Sequence, residues 1–206
     1  MSVSDSKIVS TEPLDSKDAR WTKLVKTTYT DPHGATRDWE SAIRPTRPAD
    51  SPIDGVGILA LLHRPSGSEI LLQKQFRPPV GGVAIEIPAG LVDEGETAAQ
   101  AAVRELREET GYVGVAAGVG PIMFNDPGFC NTNLKIVHVT IDLSLPENQP
   151  QNLKPKLEEN EFIETFSVPV AELYARCKEW EREGFAIDAR VGTLAEGVEV
   201  ARGLGL

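Results

Sequence analysis

The sequence predicts a mixed α/β sandwich, a β-sheet core with helices outside it, preceded by an N-terminal β-hairpin region. Three observations predict this. Short apolar runs broken by Gly and Pro recur between residues 55 and 168, the pattern of buried strands. One segment, Thr97 to Gly111, repeats apolar residues at helical spacing inside that strand-rich region. Two further helical stripes close the chain. A length of 206 residues suits one domain with a real core.

Taken in order, residues 1–20 are polar and read as a flexible tail. From Trp21 to Arg44 two extended runs flank the turn Asp31-Pro32-His33-Gly34, and Thr and Tyr are frequent in the first, as in a strand. Residues 45–52 hold three prolines and read as a linker, so that 21–52 form a hairpin unit ahead of a main domain at 53–206. Ile58–Leu62 and Ile70–Gln75 suit buried strands. Pro78, Pro79, Gly81 and Gly82 break the chain before a short strand, Ala84–Ile87, and Pro88-Ala89-Gly90 turns into a loop. Ile136–Leu143 is rich in β-branched residues, a Pro-rich loop runs from Pro146 to Asn160, and Glu161–Val168 returns as a strand. Val170, Leu173, Tyr174, Cys177 and Trp180, then Val191, Leu194, Ala195 and Val198, mark the closing helices.

A formal net charge of -10 argues against sequence-independent binding to nucleic acid, which relies on Lys and Arg against phosphates. A small phosphorylated substrate remains open to an acidic protein, because clustered carboxylates can hold the cation that receives the phosphate. Cys130 and Cys177 make no disulfide framework, and His33, His63 and His138 form no metal motif. The longest apolar run, Val56 to Leu62, is far short of the ~20 residues of a membrane span, and the N-terminus has no apolar signal region. A cytoplasmic protein is expected, with the nucleus as the alternative.

The chemistry is written in the first helix. Thr97 and Gln100 form a capping-box pattern and Gly111 is a natural stop. Ala99, Ala102, Val103, Leu106 and Thr110 fall on one face, which is expected to pack on the sheet. Glu105 and Glu109 lie one turn apart on a solvent-accessible flank, with Glu108 further round. Like charges at that spacing weaken a helix unless a cation lies between them. Hard divalent ions choose carboxylate oxygens, so the arrangement suits a metal bridging protein to a diphosphate. A lone ExxEE would more often be a solvated face.

Here it stands inside GLVDEGETAAQAAVRELREETGY, in which Gly90, Glu96, Arg104, Glu105, Leu106, Glu108, Glu109, Gly111 and Tyr112 match the pattern Gx5Ex7REUxEExGU. The segment resembles the Nudix box, with Tyr112 where an aliphatic residue is usual. That resemblance implies a Nudix α/β/α sandwich with a mixed β-sheet. It also implies that Glu105, Glu108 and Glu109 bind metal with the Ala89 carbonyl, and that Glu96 and Arg104 form an internal salt bridge. Beyond the box, RWTKLVKTTYTDPHGATRDWESAIR, QKQFRPPVGG, AIEIPAGLVDEGE and MFNDPGFCN are similar to the ADP-ribose pyrophosphatase branch, and Pro127 sits fifteen residues past the box as in that branch.

The resemblance then implies substrate contacts. Trp21 and Trp39 would stack on adenine. Arg44 and Arg77 would approach the diphosphate and terminal ribose. Glu86 would lie near substrate and metal, and Leu91 would join the binding set. Glu161 would be the catalytic base, in a segment crowded by Glu158, Glu159 and Glu164. The expected reaction is hydrolysis of ADP-ribose to AMP and ribose 5-phosphate with Mg²⁺, or Mn²⁺ in its place. Another nucleoside diphosphate derivative, or ADP-ribose binding without cleavage, are the alternatives. A homodimer exchanging the hairpin across the interface is the expected assembly, with no nucleic-acid or membrane partner.

Overall fold

The computed structural model describes residues 2–205. The hairpin forms where its turn residues demand. Strands β1 (Lys23–Thr30) and β2 (Thr36–Ile43) pair antiparallel from Lys23↔Ile43 to Thr30↔Thr36. Asp31 closes the turn by accepting from the backbone N–H of His33 and of Ala35. Almost every side chain of the ribbon is exposed, and only Ala42 is buried. The ribbon touches its own body near its base. Ala42 N–H donates to the Phe129 carbonyl, Asn131 N–H donates to the Ala42 carbonyl, and Trp39 Nε1 donates to the Gly128 carbonyl.

The stretch 45–52 is clamped rather than free. Arg47 donates from Nε and Nη2 to both oxygens of buried Asp54, and from Nη2 to the Asn131 carbonyl. Asp54 and Asn133 then exchange hydrogen bonds, each backbone N–H donating to the other's side-chain oxygen. A two-point ion pair on a buried carboxylate fixes direction where Pro alone would only stiffen the chain.

The main sheet is mixed. Strands β3 (Gly55–Arg64), β4 (Gly67–Arg77), β5 (Gly82–Glu86), β7 (Val115–Phe124), β8 (Asn133–Thr140) and β10 (Ala186–Ile187) run in the order β10-β5-β4-β3-β8-β7. Strand β6 (Ala89–Leu91) pairs with β3, and β9 (Ile163–Pro169) pairs with β4. The β3–β8 and β5–β10 pairs are parallel, and the others are antiparallel. Helix α1 (Ala98–Thr110) packs Ala101, Ala102 and Leu106 against one core with Ile58, Ala60 and Val137. Helices α2 (Leu173–Arg182) and α3 (Ala189–Gly203) pack Leu173, Trp180 and Val191 against a second core with Ile70, Leu72 and Ile85. The layers are therefore helix, sheet, helix, as expected.

Several expectations are corrected. Pro88-Ala89-Gly90 does not simply loop, because Ala89–Leu91 forms β6 by pairing with the start of β3. The strand expected at Ile136–Leu143 starts earlier and ends at Thr140, and the one expected from Glu161 begins at Ile163. Strand β7 went unread because Gly118, Gly120 and Pro121 interrupt it, and its ladder shifts register there. On α1, Ala99 and Val103 are not buried in the sheet-facing core; both line an outward groove, and Ala101 takes the inward position. Helical period alone does not say which edge of an apolar arc meets the sheet. Within the expected tail, Val3 is buried, and Ser2 Oγ and Val3 N–H both donate to Glu164 Oε1.

Candidate active site

Helix α1 is held at both ends. Thr97 and Gln100 make the reciprocal capping box, and Gly111 ends the helix at φ 78. That left-handed turn, and the Lys154 backbone packed against its α-carbon, leave no room for a side chain. At the middle of the helix, Glu105 lies against Gly90, where a Cβ would overlap its carboxylate. One turn on, Glu109 Oε2 accepts from the Ala89 N–H at 3.0 Å and Oε1 accepts from Gln73 Nε2 at 3.3 Å. Strand β6 is thus the backbone rail against which both glutamates are set.

Glu109 is not on an accessible flank as expected; it is only 4% exposed. Burial pushes its carboxyl up to about 8, against the hydrogen bonds of Gln73 and Ala89, and the charges of Glu105 and Glu161 add to the rise. Burial likewise raises the Glu105 carboxyl, although Arg104 opposes it. Arg104 gathers the rest. It donates from Nε and Nη2 to the two oxygens of Glu96 at 3.0 and 2.9 Å, and from Nη2 to the Leu91 carbonyl. Its Nη1 reaches Glu105 at 2.8 Å and Glu108 at 3.0 Å. The Glu96–Arg104 bridge is present as expected, and Arg104 extends it to two of the three glutamates expected to bind metal.

The donor set fits a hard divalent cation. Two raised carboxylates, a third beside them and an adjacent backbone carbonyl are oxygen donors whose charged forms lack a full counter-charge. Among the described residues no three acidic, His or Cys side chains already converge on one point. The Arg104 guanidinium between Glu105 and Glu108 accounts for part of that spread.

Arg104, Glu105 and Glu108 open on a cleft of about 830 Å³, whose lining also includes Arg44, Arg77, Glu86, Ala89, Leu91 and Glu161; Glu109 stays buried behind it. Arg77 is locked by a bidentate pair to buried Glu86, at 2.8 and 2.6 Å. Leu91 lies at the rim, partly exposed. Glu161 faces the cleft from the turn before β9, and its Oε2 accepts from the Glu158 N–H at 3.0 Å. Glu158 reaches the same cleft, whereas Glu159 does not.

The two tryptophans lie elsewhere, since neither lines the cleft. Trp21 and Trp39 are 60% and 52% exposed. Trp39 is opposite Thr27, and Trp21 lies two residues before β1 begins at Lys23, so the four strand steps from Lys23 to Thr27 alone span about 14 Å. Across the ladder the partner of Trp39 is Thr27, and Trp21 lies outside the ladder. Sequence reasoning missed Gln73, fully buried on β4 with its Oε1 unpartnered, and Arg190, which joins the cleft from α3. A polar residue within an apolar strand was the available signal for the first.

The NUDIX domain family matches residues 53–188. The chain is 49% identical over 203 residues to an ADP-ribose pyrophosphatase of Saccharomyces cerevisiae, covering 96% of this chain and 86% of that one. It is 40% identical over 186 residues to an ADP-sugar pyrophosphatase of Mus musculus, covering 89% and 84%. The crystal structure of an ADP compounds hydrolase superposes with a TM-score of 0.58 at 16% identity, over 97% of this chain and 92% of that one, a likeness of fold. The box geometry and these matches place the chain in the Nudix family, within the group that includes these pyrophosphatases.

Proposed function

We propose that the protein hydrolyses the diphosphate of ADP-ribose to AMP and ribose 5-phosphate. The observation that carries this is the meeting, in one cleft, of Glu105 and Glu108 with Arg77 locked on Glu86, while Glu109 stands buried one turn on against the Ala89 N–H of the β6 rail. The near-full-length relatives at 49% and 40% identity support the substrate class. Glu105, Glu108, Glu109 and the Ala89 carbonyl would hold Mg²⁺, with Mn²⁺ able to replace it. When bound, the cation neutralises charge building on the phosphate oxygens. Arg77, oriented by Glu86, donates to the diphosphate, and Arg44 does so from the hairpin side. Glu161 takes the proton of the attacking water, and Leu91 bounds the rim. The test is AMP release from purified protein with ADP-ribose and Mg²⁺, compared with other ADP-sugars and with oxidised guanine nucleotides. No AMP release from any ADP-sugar would end this reading.

Adenine recognition belongs to the same proposal, and it calls for a homodimer. Trp39 pairs with Thr27 in mid-ribbon and Trp21 lies beyond the start of β1, so a base sandwiched between the two calls for one from each chain. The ribbon exposes Trp21, Leu24, Tyr29 and Trp39, and edge strand β7 exposes Val115, Val119 and Phe124. Such apolar surface is what a symmetric partner would cover. Sedimentation at assay concentration checks it; a fully active monomer would exclude shared sites. No helix among the described residues is long and apolar enough to cross a membrane, and a cytoplasmic site of action completes the proposal.

A further inference from the structure

The C-terminal helix sends one side chain into the cleft that no motif marks. Arg190 is the second residue of α3 and lies beyond residues 53–188, the stretch that matches the family. Its guanidinium is held by the same device as that of Arg77. Arg77 donates from Nε and Nη2 to the two oxygens of Glu86, at 2.8 and 2.6 Å. Arg190 donates from Nε and Nη2 to the two oxygens of Asp188, both at 2.7 Å. In each case the Nη1 corner has no hydrogen-bond acceptor among the described residues, and neither Nη1 is buried. Both therefore present donors to the solvent of the cleft they line.

The two pairs are electrical neighbours. Burial works against the Asp188 charge, yet its bonds to Arg190 and the nearby Arg77 charge hold the carboxyl below its usual range. The four groups sum to zero charge, so they contribute oriented donors more than a net field. Such pre-set donors lose little freedom when an anion arrives. A purely structural duty for Arg190 is already met without its free corner. Asp188 caps α3 by accepting from the Arg190 backbone N–H at 2.9 Å, a bond that needs no guanidinium.

We propose that Arg190 is a substrate-binding residue that works with Arg77 to grip phosphate oxygens of a nucleoside diphosphate from the β5–α3 side of the cleft. This rests on the reading that such a diphosphate occupies the cleft. The pair would divide the work with the α1 glutamates, which meet the diphosphate through a cation while the arginines meet it directly.

The test uses R190M, R190K and the double variant D188N/R190M, which avoids stranding Asp188 without its partner. Steady-state hydrolysis of ADP-ribose with Mg²⁺ is measured beside equilibrium binding of its non-hydrolysable methylene analogue in EDTA. Loss of one charged donor should raise KM about 10–100-fold, with kcat held within about threefold. R190K should fall between R190M and wild type, and metal-free binding of the analogue should weaken in parallel. The double variant should match R190M. If R190M and the double variant keep wild-type KM and analogue affinity, the role of Arg190 is overturned while the reading of the cleft stands. Wild-type protein that neither cleaves ADP-ribose nor binds the analogue overturns both.

Discussion

The cleft and the hairpin are built on opposite plans. Around the cleft, half-buried arginines are clamped on sheltered carboxylates: Arg77 on Glu86, Arg104 on Glu96, Arg190 on Asp188 and Arg47 on Asp54. Two apolar cores brace the sheet beneath them. The hairpin has a complete ladder of backbone pairing and almost no buried side chain. Its ion pairs, Lys26–Asp38 and Arg37–Asp31, are largely open to water on the basic side. A two-stranded ribbon without a core is marginal in water, so its order has to come from what it docks on. One region is braced within the chain, whereas the other, on the proposed reading, would be completed by a partner. Single changes should therefore act sharply and locally in the cleft. In the hairpin they should act through assembly.

The strongest way to break the comparison is Glu109→Gln. The amide oxygen can still accept from the Ala89 N–H, the amide NH2 can donate to the unpartnered Gln73 Oε1 once that side chain turns, and the charge that would hold the cation is gone. We expect kcat to fall about 10³-fold with the fold retained, read by AMP release and a thermal melt. Near-normal kcat at saturating Mg²⁺ would remove Glu109 from the machinery. Next, Glu161→Gln should slow turnover about 10²-fold with Mg²⁺ affinity preserved. Glu158→Gln shares the cleft and serves as the control, and a larger defect there would transfer the role of base to Glu158.

A third measurement tests whether the cleft is strained without its cation. The Glu109 carboxyl is raised in the folded chain from an ordinary 4.5 to about 8. The folded state then binds its proton more tightly than the unfolded chain does. Stability is therefore greatest below about pH 4.5 for this group and declines as pH climbs to about 8. In EDTA we expect a loss of about 2 kcal/mol between pH 6 and 8; Mg²⁺ should reverse much of it by replacing the proton. Chemical denaturation with and without the metal reads both. A flat profile in EDTA would show that the buried carboxylate is compensated by the protein itself.

Smaller effects belong to the hairpin. Trp21→Ala and Trp39→Ala should each raise KM for ADP-ribose about tenfold with little change in kcat. If sites are shared, mixing the two variants assembles one site with both tryptophans and restores some low-KM activity. Local sites predict no recovery on mixing. Smallest of all, Asp38→Ala should cost under about 1 kcal/mol, since its partner Lys26 is solvated; a larger loss would mean that the pair is covered in the assembled protein.

Much of this protein was determined by local sequence. The helix and both of its caps follow from Thr97, Gln100 and Gly111, because capping and period act over a few residues. The turn of the hairpin follows from Asp31 and Gly34, and the box pattern marked the glutamates. Tertiary structure decided what depends on rotation and on distant neighbours. The sequence allowed Glu109 an open flank, but docking α1 against β6 turned it inward onto Ala89 and Gln73, and burial then changed its protonation. Arg190 came into the cleft because β10 pairs beside β5 and starts α3 there, a contact about a hundred residues long in sequence that no local pattern encodes. Strand β7 was hidden because Gly and Pro punctuate it, and its ladder with β8 and its packing on the first core hold it extended.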